Sequence, residues 1–136
     1  MRLLRIVFST ALLLAASASI AQMKQGDVTA DIPFPFVVGQ QTLPAGHYIV
    51  SPTSTDSLGI RDAHNRGTFV PTQSAERSRS DNRCKLVFHR YGDTYFLSEV
   101  WVTGNAVGKA LFRSRAEREL AASGKDRELA EVRVGK

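Results

Sequence analysis

From Asp27 to Ile32 the chain alternates strictly: Val28, Ala30 and Ile32 fall on one side, Asp27, Thr29 and Asp31 on the other. A period of two marks a half-buried strand, because successive side chains of an extended backbone point to opposite faces. Pro33 and Pro35 remove two ladder donors, so this strand lies at an edge or bends there, and Gly39 ends it after Val38. Gln40 to Gly46 reads as a loop with a turn at Leu43-Pro44-Ala45-Gly46. His47 to Val50 then opens a second strand, which the polar stretch Pro52 to Ser57 breaks. Leu58 to Asp62 and Gly67 to Thr72 form two short strands joined across Ala63-His64-Asn65-Arg66. Residues 74–83 have no apolar period and read as an exposed loop carrying Arg77, Arg79 and Arg83.

The strongest segment runs from Cys84 to Thr103, where two β-branched and aromatic runs flank Tyr91-Gly92-Asp93-Thr94. Gly-Asp at the centre suits a type II′ hairpin turn, since glycine accepts the positive φ required. That turn pairs Arg90 with Tyr95, Phe88 with Leu97, Leu86 with Glu99 and Cys84 with Trp101. The face holding Cys84, Leu86, Phe88, Tyr95, Leu97 and Trp101 is the expected core. The opposite face, with Val87, His89, Phe96 and Ser98, is still apolar enough to need a second layer or a partner. After Gly104, Ala106 to Phe112 offers one short strand. Ser114-Arg115-Ala116-Glu117 fits a helix capping box, predicting a helix from Arg115 to about Ala122 that stops near Gly124. Asp126 to Val134 echoes that segment nine residues on and reads as a second, loosely packed helical piece. The expected fold is mainly β: a small antiparallel barrel or sandwich of about six or seven strands over residues 22–112, followed by a charged helical tail over 113–136.

The first residues change the setting. Arg2 and Arg5 precede an apolar run from Ile6 to Ala16, and small residues follow up to Ala21. This is the layout of a cleavable export signal over residues 1–21, with Gln22 as the new N-terminus. The run is too short for a bilayer span, which takes roughly 20 residues, and nothing later is long and apolar enough. The expected location is therefore periplasmic or extracellular. Removing the leader lowers the formal net charge from +5 to +3, with acids interleaved among the bases, so no nucleic-acid footprint is present. Cys84 is the single cysteine, which leaves an exported fold resting on packing rather than on an internal disulfide.

Phe36 to Val50 with its Leu43-Pro44-Ala45-Gly46-His47-Tyr48 turn, Leu86 to Trp101, and Ser114 to Leu120 together resemble a group of short exported β-rich proteins of soil bacteria. The resemblance implies export and a shared module. It carries no established activity and no functional residues.

Candidate chemistry is sparse. His47, His64 and His89 lack the close ligand spacing of a metal site. Glu99 falls on the apolar face, so it is paired, protonated or lining a cavity, and with His89 it makes the weak catalytic pair of a small hydrolase. Ser98 near His89 and Asp93 suggests a nucleophile arrangement, but no strained Gly-x-Ser-x-Gly turn surrounds it. Tyr48, Phe96 and Trp101 are the aromatic candidates for a ligand or partner surface. No cofactor is implied. The sequence thus points to a non-catalytic exported binding or envelope-associated module whose partner is an envelope protein or a small apolar ligand. The alternatives are a small-ligand or lipid carrier and, behind it, a hydrolase using Glu99 and His89.

Overall fold

The computed structural model describes residues 26–76, 83–102 and 107–135. The predicted signal peptide, its cleavage point at Ala21 and Gln22, and most of the arginine loop lie outside these residues. Ten strands and one helix follow in order: β1 (Val28–Ile32), β2 (Phe36–Val38), β3 (Gln41–Leu43), β4 (Gly46–Ser54), β5 (Ser57–Asp62), β6 (Gly67–Glu76), β7 (Lys85–Tyr91), β8 (Thr94–Trp101), β9 (Val107–Leu111), α1 (Arg115–Ala122) and β10 (Glu128–Arg133). The mainly β class agrees with the sequence, but about ten strands replace the expected six or seven. The extra ones have plain origins. Pro33 and Pro35 split the first run into β1 and β2, and the expected loop after Gly39 turns back as β3, helped by a φ of +59° at Gly39.

The third correction is β10, read from the sequence as helical. It pairs antiparallel with β7 from Glu128–Arg90 to Arg133–Lys85. A helix there would have left the β7 edge with unpaired donors and acceptors. Ala130, Val132 and Val134 fall on alternate positions and pack against the core, a period of two hidden under strong helix formers. Residues 113–136 are therefore no loose tail, since they supply a sheet strand and a covering helix.

All ten strands belong to one curled sheet. Following the hydrogen bonds from one end, β1 pairs β4, then β5, β6, β9, β8, β7 and β10, while β2 joins β8 in parallel at Val37–Phe96 and carries β3. The sheet is not closed. Its two ends meet only at one bridge, where Thr29 and Gly135 exchange backbone hydrogen bonds of 3.0 Å each. Inside the curl, Val28, Val50, Leu58, Leu86 and Phe88 have no solvent exposure and share one core with Ile60, Phe36 and Leu97. Phe36 meets Tyr48 and Phe88 edge-on, and Phe34 stacks on Tyr95 with ring centres 3.7 Å apart.

The β7–β8 turn forms as the sequence requires: Tyr91 pairs Thr94, and Gly92 alone of the central pair has positive φ, +61°. The expected pairs hold from Arg90–Tyr95 to Phe88–Leu97 and then slip. Val87 faces Glu99 and Leu86 faces Val100, leaving Ser98 as the extra residue of a β-bulge. One inserted residue exchanges the two faces beyond it. Val100 turns inward to the core, while Glu99 and Trp101 turn outward with Val87 and Lys85. The apparent burial of Glu99 in the core thus came from an unrecognised bulge. Its carboxylate is partly exposed and accepts a 2.8 Å hydrogen bond from Trp101 Nε1–H.

Candidate functional site

Two places on the outer surface of the sheet concentrate functional groups. The first lies over β7 and β8, whose outward side chains Val87, Tyr91, Phe96 and Ser98 are buried. The second layer that this face calls for is α1. Its N-terminus forms half of the expected capping box, with Glu117 N–H donating to Ser114 Oγ at 3.2 Å. The other half is diverted. Instead of reaching back to the cap, the Glu117 side chain points into the sheet and is only 4% exposed. There His89 Nδ1–H donates to Glu117 Oε1 at 2.6 Å, and the Tyr91 hydroxyl donates to the same oxygen at 3.2 Å. On the far side of the imidazole, Nε2 accepts from the Ser98 hydroxyl at 3.0 Å in the tautomer this network selects.

Ser98, His89 and Glu117 therefore have the connectivity of a nucleophile, base and orienting acid. Ser98, the extra residue of the bulge, keeps the face it shares with His89 in the register expected from the turn. His89 does not pair with Glu99, and Asp93 takes no part in these bonds. Two features separate this relay from a working hydrolytic site. Ser98 is only 9% exposed, and it lines neither of the two cavities described below. What the network does is plain: it satisfies four polar groups under the helix and pins α1 to the sheet.

Tyr91 carries a pH signature of that burial. Removal from water raises its phenol above the ordinary value of 10, and the adjacent Glu117 carboxylate adds to the rise. The unfolded chain then ionises Tyr91 first, so the stability this phenol contributes is full below about pH 10 and is lost as pH rises through the folded value. Unfolding midpoints in urea measured from pH 9 to 12 should fall more steeply for the wild type than for Tyr91→Phe. Equal slopes would show that Tyr91 is not held neutral.

The second place is the outer face of β4, β5 and β6, where a groove of about 530 Å³ opens. Its floor follows from register. Gly59 pairs Phe69 and Arg61 pairs Gly67, so these four residues form a square on one face, with the large side chains on one diagonal and bare glycines on the other. Neither glycine has positive φ, so what matters is space. A Cβ on Gly67 would lie 2.1 Å from Ile60 O, while a Cβ on Gly59 would lie 3.1 Å from the Phe69 ring. That ring rests against Gly59 and is still 74% exposed. Ser51 extends the Gly59–Phe69 row on β4, and its hydroxyl is sealed from solvent without a hydrogen-bond partner. Arg61 Nη2 lies 3.5 Å from the buried Asp27 carboxylate. A smaller cavity of about 290 Å³ lies between β2–β3 and the β7–β8 turn, lined by Phe36, Thr42, Asp93 and Tyr95.

The aromatic candidates from the sequence are elsewhere. Tyr48, Phe96 and Trp101 are 3%, 3% and 5% exposed, so none of them offers a contact surface. Tyr48 belongs to the core, Phe96 lies beside Tyr91 on the outer face of the β7–β8 hairpin, and Trp101 lies across Gly108. The histidines are scattered: His47 bonds Asp31, His64 sits on the β5–β6 turn, and His89 is in the relay. Among the described residues no group of three or more His, Cys, Asp and Glu could hold a metal, and no helix is long and apolar enough to cross a membrane.

The groove was missed because its decisive residues are glycines and one phenylalanine, none of which carries chemistry alone. The available signal was glycine inside a strand pattern, Leu58-Gly59-Ile60, which marks close approach of another group. Glu117 was missed because the capping box gave its carboxylate a local partner. No protein-family model, curated protein or solved structure matches the chain. Fold and geometry alone define its class: a mainly β protein built on one open, curled sheet with, among the described residues, one helix clamped to its outside.

Proposed function

We propose that this chain is an exported, non-catalytic binding module that meets its partner through the groove over β4, β5 and β6. The observation that carries the reading is Phe69. A large apolar ring left open to water on the rim of a groove contributes little to folding and is available to bury against a partner. The curl's interior is filled by Phe36, Leu58, Leu86 and Phe88, which gives a lumenal carrier no support, and the larger cavity opens outside. The relay favours a second reading, a hydrolase, through its connectivity. A buried Ser98 beneath a helix that itself supplies the acid argues for a structural clamp, because lifting α1 to admit substrate would also remove Glu117.

A serine-directed fluorophosphonate separates the two readings. The folded protein should show no adduct at Ser98 by mass spectrometry. An adduct abolished by Ser98→Ala would overturn the non-catalytic assignment. Export is tested by the N-terminal sequence of protein recovered outside the cytoplasm, which should begin at Gln22. A sequence beginning at Met1 would refute leader removal.

A further inference from the structure

We infer that the groove over β4, β5 and β6 takes a pyranose ring of a glycan, an inference that rests on the binding-module reading and names its ligand class. A ligand filling this site must present a flat apolar face to Phe69. It must also offer oxygens at its rim to the Arg61 guanidinium and the Asn65 side chain, both of which line the groove. A pyranose has both: a face of polarised C–H bonds suited to the electron-rich face of a phenyl ring, and hydroxyls on neighbouring carbons that match the two-pronged guanidinium. The square geometry sets the fit. With the Phe69 ring lying against Gly59 and the neighbouring strand close over Gly67, the groove is bordered by ring and guanidinium at opposite corners of unlike chemistry.

Other ligand classes fit less well. A peptide added as a strand needs unpaired backbone groups, and β5 at the centre of the groove is already hydrogen-bonded to β4 and β6. An acyl chain would leave Arg61 against hydrocarbon, at the cost of stripping water from a charge. The Ser51 hydroxyl adds an independent sign. It is buried and unpartnered beside Gly59, in the row that the Phe69 ring closes. A buried hydroxyl without a partner is costly, and a sugar hydroxyl entering as the exposed ring shifts would satisfy it.

The test is an amide-resolved NMR titration of the purified protein with three soluble probes: chitotetraose, cellotetraose and tetragalacturonate. At least one should give saturable shifts confined to residues 51–53, 59–61 and 65–69. Phe69→Ala should weaken that binding about tenfold, the loss of one stacking contact, and Phe69→Trp should retain it. Because Phe69 is exposed, both variants keep the wild-type fold, and the rest of the spectrum checks this. Three results would overturn the inference. The first is no saturable shift from any probe up to about 10 mM, a limit weaker than most specific binding. The second is shifts that Phe69→Ala leaves unchanged. The third is a self-associated wild type that Phe69→Ala renders monomeric, which would make a second copy the occupant. If the saccharides fail while an aromatic probe such as p-cresol shifts the same amides in a Phe69-dependent way, the glycan falls and the binding-module reading stands. If neither kind of probe does so, both fall.

Discussion

Glu117→Ala should lower the free energy of unfolding by about 2–5 kcal/mol, because two donors beneath the helix each lose their acceptor at roughly 1–3 kcal/mol. The carboxyl joins α1 to both His89 and Tyr91, with Glu117 and Tyr91 buried and His89 largely covered. Its loss strands an imidazole N–H and a phenol O–H away from water and empties the space the side chain filled. Small domains have total stabilities of about 5–15 kcal/mol, so one carboxylate would carry a large share of what holds the molecule together. Glu117→Gln should be milder, because an amide oxygen still accepts from His89 Nδ1–H. Urea unfolding of the two variants, with a double-mutant cycle through His89→Ala, reads both the cost and the coupling. A loss of less than about 1 kcal/mol, within the range of surface ion pairs, would mean that the helix is held by something else.

Glycine substitutions give the second large effect, and their order is diagnostic. Gly67→Ala would set a methyl 2.1 Å from Ile60 O and 3.0 Å from Arg61 Cα, which only a displaced strand can relieve. A loss of about 3 kcal/mol or more is expected, at the upper end for overpacking. At Gly108 the methyl would lie 2.5 Å from the Trp101 ring, a side chain that can shift, so about 1–3 kcal/mol is expected. Gly59→Ala should cost less than about 1 kcal/mol, because the opposing Phe69 ring is exposed and free to swing. Thermal or denaturant melts giving any other ranking would contradict the placement of these strands.

The parts of the structure that were legible in the sequence were those fixed locally. The Gly92-Asp93 turn set the β7–β8 hairpin, Asn65 and Gly67 set the β5–β6 hairpin, and Ser114 with Gly124 bounded α1 to the residue. Each depends on dihedral angles or a hydrogen bond within a few positions. What failed depends on partners far along the chain. The helical look of Asp126 to Val134 was real as propensity, but the β7 edge outbid it. The bulge at Ser98 leaves no local mark, since Leu97-Ser98-Glu99-Val100 alternates acceptably in either register and only the core decides that Val100 goes inside. From that slip came the misplacement of Glu99 and the assignment of Trp101 to the inner face. The apolar second face of the hairpin did signal a missing layer, and α1 is that layer.

The single bridge between Thr29 and Gly135 has a consequence for how the molecule is made. On the ribosome β1 emerges well before Gly135, the residue it bridges. The β7 edge likewise waits for β10. The Thr29–Gly135 bridge spans most of the sequence, and loops that long close slowly. The sheet therefore stays unfinished until β10 and Gly135 have emerged, and the nascent chain remains pliable until then.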